Sequence, residues 1–221
     1  MRSAIFDLDG TLVDTSADLM AAANAVFADW GLAARLGPED AVTAFGGGRA
    51  MLRAGLARAG LSADETRVDA GFAPFVAHYR AKIDRFSTVY EGVEDTLATL
   101  QAQGWKLGIC TNKPQDLADM LLGRLKLARF FPVVIGADAL AVRKPHPLHL
   151  TETISRLGGD ARRAVLVGDT VTDYDTAKAA NLPSILVTFG PNAEACRALN
   201  PTALLESYAD LPPILERLVP A

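Results

Sequence analysis

The chain is organised around one stretch near its start, Ala4-Ile5-Phe6-Asp7-Leu8-Asp9-Gly10-Thr11-Leu12-Val13-Asp14. Its apolar opening predicts a short buried strand, which breaks at once into two aspartates, a glycine and a threonine. In an extended chain, side chains at i and i+2 point to the same side, so Asp7 and Asp9 repel each other unless a cation or a proton lies between them. An ordinary Asp-Gly turn after a strand would have the same sequence pattern. The choice between a plain turn and a functional site therefore depends on the other motifs of the chain.

Composition and charge narrow the classes of protein to which the chain can belong. It has 221 residues, of which 50% are hydrophobic, enough for one domain or for a domain with a smaller insertion. A formal net charge of −4 argues against a nucleic-acid binder. Cys110 and Cys196 are too few for a disulfide framework. Since no stretch resembles a signal peptide or a membrane span, we expect a cytoplasmic protein that binds neither nucleic acid nor membrane.

Five short apolar runs predict strands that are covered on both faces, because they lack the alternation of a half-exposed strand. The runs are 3–6, 107–110, 133–135, 164–167 and 184–187. Apolar residues at three- and four-residue spacing predict helices between and after them, at 93–103, 115–126, 148–157, 172–180, 192–199 and 210–218. Strand and helix in regular order predict a doubly wound α/β fold with a mostly parallel, Rossmann-like sheet. A further short strand is expected at 203–205.

A long insertion separates the first two strands. About a hundred residues intervene where one strand-helix-strand crossover needs about thirty. Helical patterns recur within this stretch, at 16–30, 49–59 and 64–85. We therefore predict an all-helical domain over residues 15–88, inserted into an α/β core that comprises residues 1–14 and 89–221.

Polar side chains follow four of the predicted strands. In chain order they are Asp7 and Asp9, Thr111 and Asn112, Lys144, and Asp169 with Asp173. Each has an ordinary explanation when taken singly, such as the β-propensity of threonine, a solvated loop lysine or a helix-capping aspartate. In an open α/β sheet, however, the carboxyl ends of the strands are where ligands bind. The coincidence of these residues at one sheet edge therefore favours a functional site.

The same residues resemble the four motifs of the haloacid dehalogenase-like hydrolase superfamily. The motifs are Asp7-Leu8-Asp9-Gly10-Thr11, the strand-end Thr111, Lys144 before a proline, and Gly168-Asp169-x-x-x-Asp173. Their order and spacing agree over nearly the whole chain, and the helical insertion lies where that superfamily has its cap. The strings Thr111-Asn112-Lys113-Pro114 and Lys144-Pro145-His146-Pro147 resemble the phosphoglycolate phosphatase group in particular. The resemblance implies a catalytic core and a cap that closes the site and selects the substrate.

Two aspartates receive different roles in the implied chemistry. Asp7 is expected to attack a phosphate monoester and form an aspartyl-phosphate, which divides one difficult hydrolysis into two easier steps. Asp9 is expected to protonate the leaving oxygen and then to activate water. Asp7 and Asp169, with a backbone carbonyl at Asp9, offer the oxygen ligands that Mg²⁺ prefers.

The remaining motif residues are expected to handle the phosphate. Lys144 would neutralise the transferring phosphoryl group, while Thr111, Asn112 and the backbone at Gly10 hold its other oxygens. By resemblance, Asp173 would not contact the phosphate itself but would position Lys144 or a metal-bound water.

The predicted cap contains one tentative substrate loop, Gly46-Gly47-Gly48-Arg49. It is equally compatible with a plain turn between two helices. As a functional loop, Gly47 and Gly48 would let backbone approach a small substrate, and Arg49 would bind a carboxylate.

Four other residues have weaker claims to function. His146 and His149 are three apart, but Pro147 lies between them, so we expect surface loop histidines rather than metal ligands. Cys110 is expected to be a buried core thiol. Asn181 stands where the superfamily usually has glycine, and asparagine is the next best residue for a left-handed helix end.

We therefore expect a magnesium-dependent phosphatase, a monomer or homodimer, acting on a small phosphorylated metabolite such as 2-phosphoglycolate. A sugar-phosphate phosphatase or phosphomutase of the same superfamily is the alternative. A dehalogenase would not need the acid at Asp9, and a phosphoacceptor receiver domain would have no use for a helical cap. The complete set of motif residues argues against a binding protein without turnover.

Overall fold

The computed structural model describes residues 1–220, which form two compact units. The core unit comprises Met1–Val13 and the chain from Val89 onward, and the helical unit comprises Asp14–Thr88. Across the described residues, no helix combines the length and the apolar character needed to cross a membrane.

The described residues contain eight strands and ten α-helices. The strands are β1 (Ser3–Phe6), β2 (Val13–Asp14), β3 (Thr88–Val89), β4 (Lys106–Cys110), β5 (Val133–Ile135), β6 (Ala164–Gly168), β7 (Ser184–Val187) and β8 (Ala203–Leu205). The helices are α1 (Ser16–Asp29), α2 (Ala41–Phe45), α3 (Gly48–Arg58), α4 (Glu65–Ala81), α5 (Val93–Ala102), α6 (Gln115–Arg124), α7 (Pro147–Arg156), α8 (Val171–Ala179), α9 (Ala193–Ala198) and α10 (Leu211–Leu218).

The core unit is built on a six-stranded sheet in the order β5-β4-β1-β6-β7-β8. Each neighbouring pair in this sheet is parallel. From β1 the strand order runs outward in both directions, and such a switch point is where open α/β sheets bind ligands. The predicted doubly wound α/β fold is confirmed, including the sixth strand at β8.

Both faces of the sheet are covered, which explains why the strands are apolar throughout. On one face, Leu150 and Ile154 of α7 pack in the same buried cluster as Ile5 and Leu166 of the sheet. Phe6, the next residue of β1 after Ile5, is fully buried, and its ring meets that of Phe131 edge-on at 6.0 Å between centroids. A strand with two buried faces has no polar side to expose.

Asn181, just after α8, ends the helix as its residue type predicts. Its φ is 54°, in the left-handed region. Its backbone N–H donates to the Lys178 carbonyl at 3.1 Å. Asparagine therefore serves here in place of glycine.

The helical unit packs its four helices around large apolar side chains. The fully or almost fully buried residues include Phe27, Leu52, Leu56, Val68 and Phe75. The short helix α2 was not predicted, because five residues are too few to show a helical period.

The fourth helix of this unit ends earlier than the sequence pattern predicts, at Ala81 rather than near residue 85. Beyond this end, Asp18 Oδ2 accepts hydrogen bonds from the backbone N–H groups of Phe86 at 2.9 Å and Ser87 at 2.7 Å. The Ser87 hydroxyl donates to the same oxygen at 2.7 Å. A carboxylate in α1 thus holds the end of the segment that follows α4.

Two helical glycines should respond in opposite ways to alanine. On propensity alone, each Gly→Ala change would stabilise the helix by about 1 kcal/mol. Around Gly123 in α6 there is open space for a Cβ, whereas at Gly55 in α3 a Cβ would overlap the ring of Phe27. We therefore expect Gly123→Ala to raise the free energy of unfolding by about 0.5–1 kcal/mol and Gly55→Ala to lower it by about 1–3 kcal/mol. Urea unfolding of both variants measures this; a stabilised Gly55→Ala protein would contradict the close packing of α1 against α3.

Candidate active site

Asp7 stands at the carboxyl end of the central strand. Its backbone N–H donates to the Val167 carbonyl at 2.9 Å and so extends the pairing of β1 with β6. Its Oδ1 accepts from the Leu8 N–H at 2.7 Å, and its Oδ2 lies 2.9 Å from Lys144 Nζ. Burial raises the pKa of Asp7 to about 6, although the Lys144 charge opposes the rise. A poorly hydrated carboxylate is thus held at the switch point, facing a cation.

The turn after Asp7 brings a second carboxylate close. Gly10 has φ of +80°, and a Cβ at this position would overlap the carboxylate of Asp169. The Thr11 hydroxyl donates to Asp169 Oδ1 at 2.9 Å. Glycine is therefore needed at position 10 both for its backbone conformation and for the approach of Asp169.

Asp169 follows β6 and is held from several sides. Its Oδ2 accepts from Asn192 Nδ2 at 3.3 Å, and its backbone carbonyl accepts from the Cys196 thiol at 3.0 Å. Burial, with the charges of Asp173 and Asp7, raises the pKa of Asp169 well above its usual value. The motifs did not point to Asn192 or Cys196, since the helix predicted at 192–199, observed as α9, belongs to none of them.

Lys144 is the buried cation of the site, and only 3% of the residue is exposed. Its Nζ lies 2.9 Å from Asp7 and 2.6 Å from Asp173. Burial alone would lower the pKa of Lys144, but the charges of Asp173 and Asp7 raise it above the usual value. The ammonium group therefore stays protonated.

Asp173 uses both of its oxygens within the protein. While Oδ1 pairs with Lys144, Oδ2 accepts from the N–H of Asp169 at 3.2 Å, the N–H of Thr170 at 3.1 Å and the Thr170 hydroxyl at 2.7 Å. These bonds form a capping box at the start of α8. A Cβ at Gly168 would overlap Asp173, so glycine leaves room for this arrangement.

The segment after β4 carries three polar residues with separate contacts. The Thr111 hydroxyl accepts from the Lys113 N–H at 3.2 Å and also hydrogen-bonds Asp7. The Asn112 amide donates to the Lys144 carbonyl at 3.0 Å, so it braces the lysine loop. Lys113 Nζ lies 2.9 and 3.1 Å from the two carboxylate oxygens of Asp9.

Sequence reasoning gave no role to Lys113 or to Tyr208. A lysine after a strand usually reads as a solvated loop charge, yet the Lys113 side chain is only 3% exposed. Tyr208 lies far along the chain and belongs to no motif, yet its hydroxyl donates to the Thr11 carbonyl at 2.7 Å. Only tertiary structure connects these two residues with the aspartates.

The expectation that His149 is a surface loop residue is wrong. His149 lies in α7 and is fully buried, because its face of the helix packs on the sheet. Nε2 contacts the Gly136 carbonyl at 3.0 Å and Nδ1 contacts the Cys110 thiol at 3.1 Å. Burial raises the pKa of Cys110 to about 12, so we assign the thiol as donor to Nδ1 and Nε2–H as donor to Gly136. His146 is exposed as expected, and Cys110 is confirmed as a buried thiol.

The tentative substrate residues lie at the start of α3 in the helical unit. Gly47 has φ of +87°, and a Cβ at Gly48 would overlap the ring of Phe75, so local structure accounts for both glycines. The Arg49 guanidinium pairs with Asp69 and lies 4.7 Å from the centroid of the Phe72 ring. Its side chain is 43% exposed.

The donor set of the core site fits a divalent cation. Carboxylate oxygens of Asp7, Asp169 and Asp173 lie within 4.8 Å of one another, and those of Asp173 are already engaged. Burial raises the pKa of both Asp7 and Asp169, and a cation beside them would favour their charged forms. Hard carboxylate oxygens are the ligands that Mg²⁺ prefers.

Comparisons with known proteins agree with these motifs. A family model described as haloacid dehalogenase-like hydrolase matches residues 4–187. A phosphoglycolate phosphatase of Agrobacterium fabrum is 40% identical over 218 residues, which cover 98% of this chain and 93% of that protein. One of Caulobacter vibrioides is 38% identical over 207 residues, which cover 94% of this chain and 87% of that protein.

A solved structure has the same fold. It is the crystal structure of a predicted phosphoglycolate phosphatase from Haemophilus somnus. The two chains superpose with a TM-score of 0.83 and are 25% identical, and the match covers 97% of each chain. The resemblance inferred from the motifs is thereby confirmed. The chain belongs to the haloacid dehalogenase-like hydrolase family.

Proposed function

We propose that this enzyme, a phosphoric monoester hydrolase related to phosphoglycolate phosphatases, hydrolyses a small phosphorylated metabolite through an aspartyl-phosphate, with Mg²⁺ as cofactor. The observation that carries the proposal is the Asp7 carboxylate, buried at the switch point of the sheet, 2.9 Å from Lys144 and two residues from a second carboxylate. The names of the relatives make 2-phosphoglycolate the first candidate substrate.

In the first half of the reaction, a carboxylate oxygen of Asp7 attacks phosphorus and the ester P–O bond breaks. Asp9 gives its proton to the departing alkoxide, which leaves as an alcohol. Lys144 is already fixed beside Asp7 by Asp173, so it stabilises charge on the phosphoryl oxygens without moving. The Thr111 hydroxyl and the backbone at Asn112 are proposed to bind the other phosphoryl oxygens. The Gly10 N–H, which was expected to do the same, donates to the Val13 carbonyl at 2.8 Å instead.

In the second half, water attacks the phosphorus of the aspartyl-phosphate. Asp9, now a carboxylate, takes a proton from that water, and the bond between phosphorus and the Asp7 oxygen breaks. Inorganic phosphate is released, and both aspartates return to their starting states.

Asp7, Asp169 and the backbone carbonyl of Asp9 would hold the Mg²⁺ ion. When bound, Mg²⁺ supplies positive charge that lets the carboxylates accept a phosphate dianion among them. Asp173 would not be a ligand, because its oxygens cap α8 and hold Lys144.

The helical unit is proposed to close the site and select the substrate, with Arg49 binding a substrate carboxylate. A cytoplasmic location is also part of the proposal, since both cysteines are free and buried, as suits a reducing compartment. A monomer or homodimer is expected.

The proposal is tested by a panel of phosphate esters with the Asp7→Asn variant as control. We expect 2-phosphoglycolate to be hydrolysed faster than hexose phosphates, pyrophosphate and nucleotides, and a chelator to abolish turnover. Asp7→Asn should lower kcat by at least about 10⁴-fold, because no covalent intermediate can form. Acid-quenched wild-type enzyme should carry phosphate on Asp7. Transfer of phosphate to a second sugar rather than to water would instead identify a phosphomutase.

Binding of Mg²⁺ should depend on pH through the aspartates. Because the pKa of Asp7 rises from 3.8 to about 6 in the folded chain, its ionisation lowers the stability of the metal-free fold as pH rises through that interval. A bound cation relieves this cost, whereas protons compete with the cation at low pH. We expect Mg²⁺ to raise Tm more at pH 7.5 than at pH 5, and to do little for Asp169→Asn. An equal rise at both pH values would contradict the assigned ligands.

The Arg49 proposal has a matched control in Arg53. Both side chains are 43% exposed, and each pairs with an acidic residue, Asp69 and Glu65 respectively. We expect Arg49→Ala to lower kcat/KM about 10–100-fold for 2-phosphoglycolate, the range for a lost hydrogen bond between charged groups. For p-nitrophenyl phosphate, which has no carboxylate, the loss should be small. Arg53→Ala should affect neither substrate; equal losses from Arg49→Ala on both esters would exclude carboxylate binding.

A further inference from the structure

The two aspartates after β1 each face a different lysine. Lys144 Nζ contacts Asp7, and Lys113 Nζ contacts both oxygens of Asp9 at 2.9 and 3.1 Å. The first pair belongs to the proposed nucleophile. The second pair involves a residue to which neither the motifs nor the proposed function assigns a task.

Lys113 is held rigidly enough to orient its partner. Its backbone N–H donates to the Thr111 hydroxyl at 3.2 Å, and its carbonyl accepts from the Ala137 N–H at 2.9 Å. These bonds tie it to the end of β4 and to the segment after β5. Since its side chain is only 3% exposed, the ammonium group has little freedom to move.

Asp9 needs such a constraint more than the other carboxylates do. Its side chain is 21% exposed, against 12% for Asp7 and 0% for Asp173. A group that transfers protons must stand within hydrogen-bond reach of the reacting oxygen, and small displacements reduce the rate strongly. When Asp9 is ionised, Lys113 donates to both carboxylate oxygens, which fixes the direction of the group as well as its place. When one oxygen of Asp9 carries the proton, the other oxygen would still accept from Lys113 and leave that proton free for the leaving oxygen.

We propose that Lys113 is a positioning residue, which holds the Asp9 carboxylate where it reaches the leaving oxygen and then the attacking water. The inference rests on the proposed function, because that function assigns the proton transfers to Asp9. Lys113 acts through Asp9 and does not bind the substrate.

The first test compares leaving groups in Lys113→Met, with the exposed Lys178→Met as control. p-Nitrophenolate leaves without protonation, whereas the alkoxide of 2-phosphoglycolate requires an acid. We expect kcat/KM, which reports formation of the phosphoenzyme, to fall about 10–100-fold for 2-phosphoglycolate, within the range of general acid catalysis, and less than about threefold for p-nitrophenyl phosphate. Lys178→Met should change neither value. Equal losses on the two esters would overturn the proposal.

The second readout is the amount of phosphoenzyme. With p-nitrophenyl phosphate, a misplaced Asp9 slows only the hydrolysis step, so acid-quenched Lys113→Met should carry more phosphate than the wild type at steady state. Lys113→Arg, which keeps the positive charge, should lose less kcat/KM for 2-phosphoglycolate than Lys113→Met does. Circular dichroism confirms that the variants are folded, and Lys113→Arg provides the second variant if Lys113→Met is not. A folded Lys113→Met protein with normal phosphoenzyme levels would overturn the proposal.

A double-mutant cycle separates this inference from the proposed function. In an Asp9→Asn background, Lys113→Met should lower single-turnover kcat/KM for 2-phosphoglycolate by less than about threefold, because the residue through which it acts is gone. If Lys113→Met costs as much there as in the wild type, the positioning role is wrong while the role of Asp9 stands. If Asp9→Asn itself leaves the rate unchanged, the role of Asp9 fails and the inference fails with it.

Discussion

The buried ammonium group of Lys144 is the constraint on which the rest of the site depends. A charge taken out of water must be paired, and removal of one partner from a buried pair typically costs about 3–5 kcal/mol. Asp173 provides that partner at 2.6 Å and at the same time caps α8, so the helix start and the lysine are fixed together. Asn112 holds the backbone of the lysine from the other side. The cation that faces Asp7 is therefore in place before any substrate arrives.

Much of the core could be predicted because the relevant signals are local or follow from topology. Continuous apolar runs identified the buried strands, and the rule that ligands bind at the carboxyl ends of parallel strands brought Asp7, Thr111 and Asp169 to one edge. His149 was misjudged because a helical residue next to a proline-rich loop can face either the sheet or solvent. Whether His149 faces the sheet or solvent depends on which face of α7 packs on the sheet, and the sequence does not show this.

The contacts that the sequence did not predict are those between distant segments. Lys113 contacts Asp9, and Tyr208 contacts Thr11, only because tertiary packing brings distant segments together. No regular spacing in the sequence relates the two residues of either pair. Residue type also does not predict that Asp7 and Asp9 have different environments. Both are aspartates on the same short turn, and they differ because one is buried beside Lys144 and the other is more exposed beside Lys113.

The hydrogen bonds of the two cysteines have a consequence for chemical durability. Thiolate, not thiol, reacts with oxidants and alkylating agents. Burial raises the pKa of both Cys110 and Cys196 to about 12, and each thiol contacts a hydrogen-bonding partner inside the core unit, His149 and the Asp169 carbonyl respectively. Both cysteine sulfur atoms are thus kept as buried thiols, the less reactive form. Reaction of Cys110 or Cys196 with an oxidant or an alkylating agent therefore requires the core unit to open first.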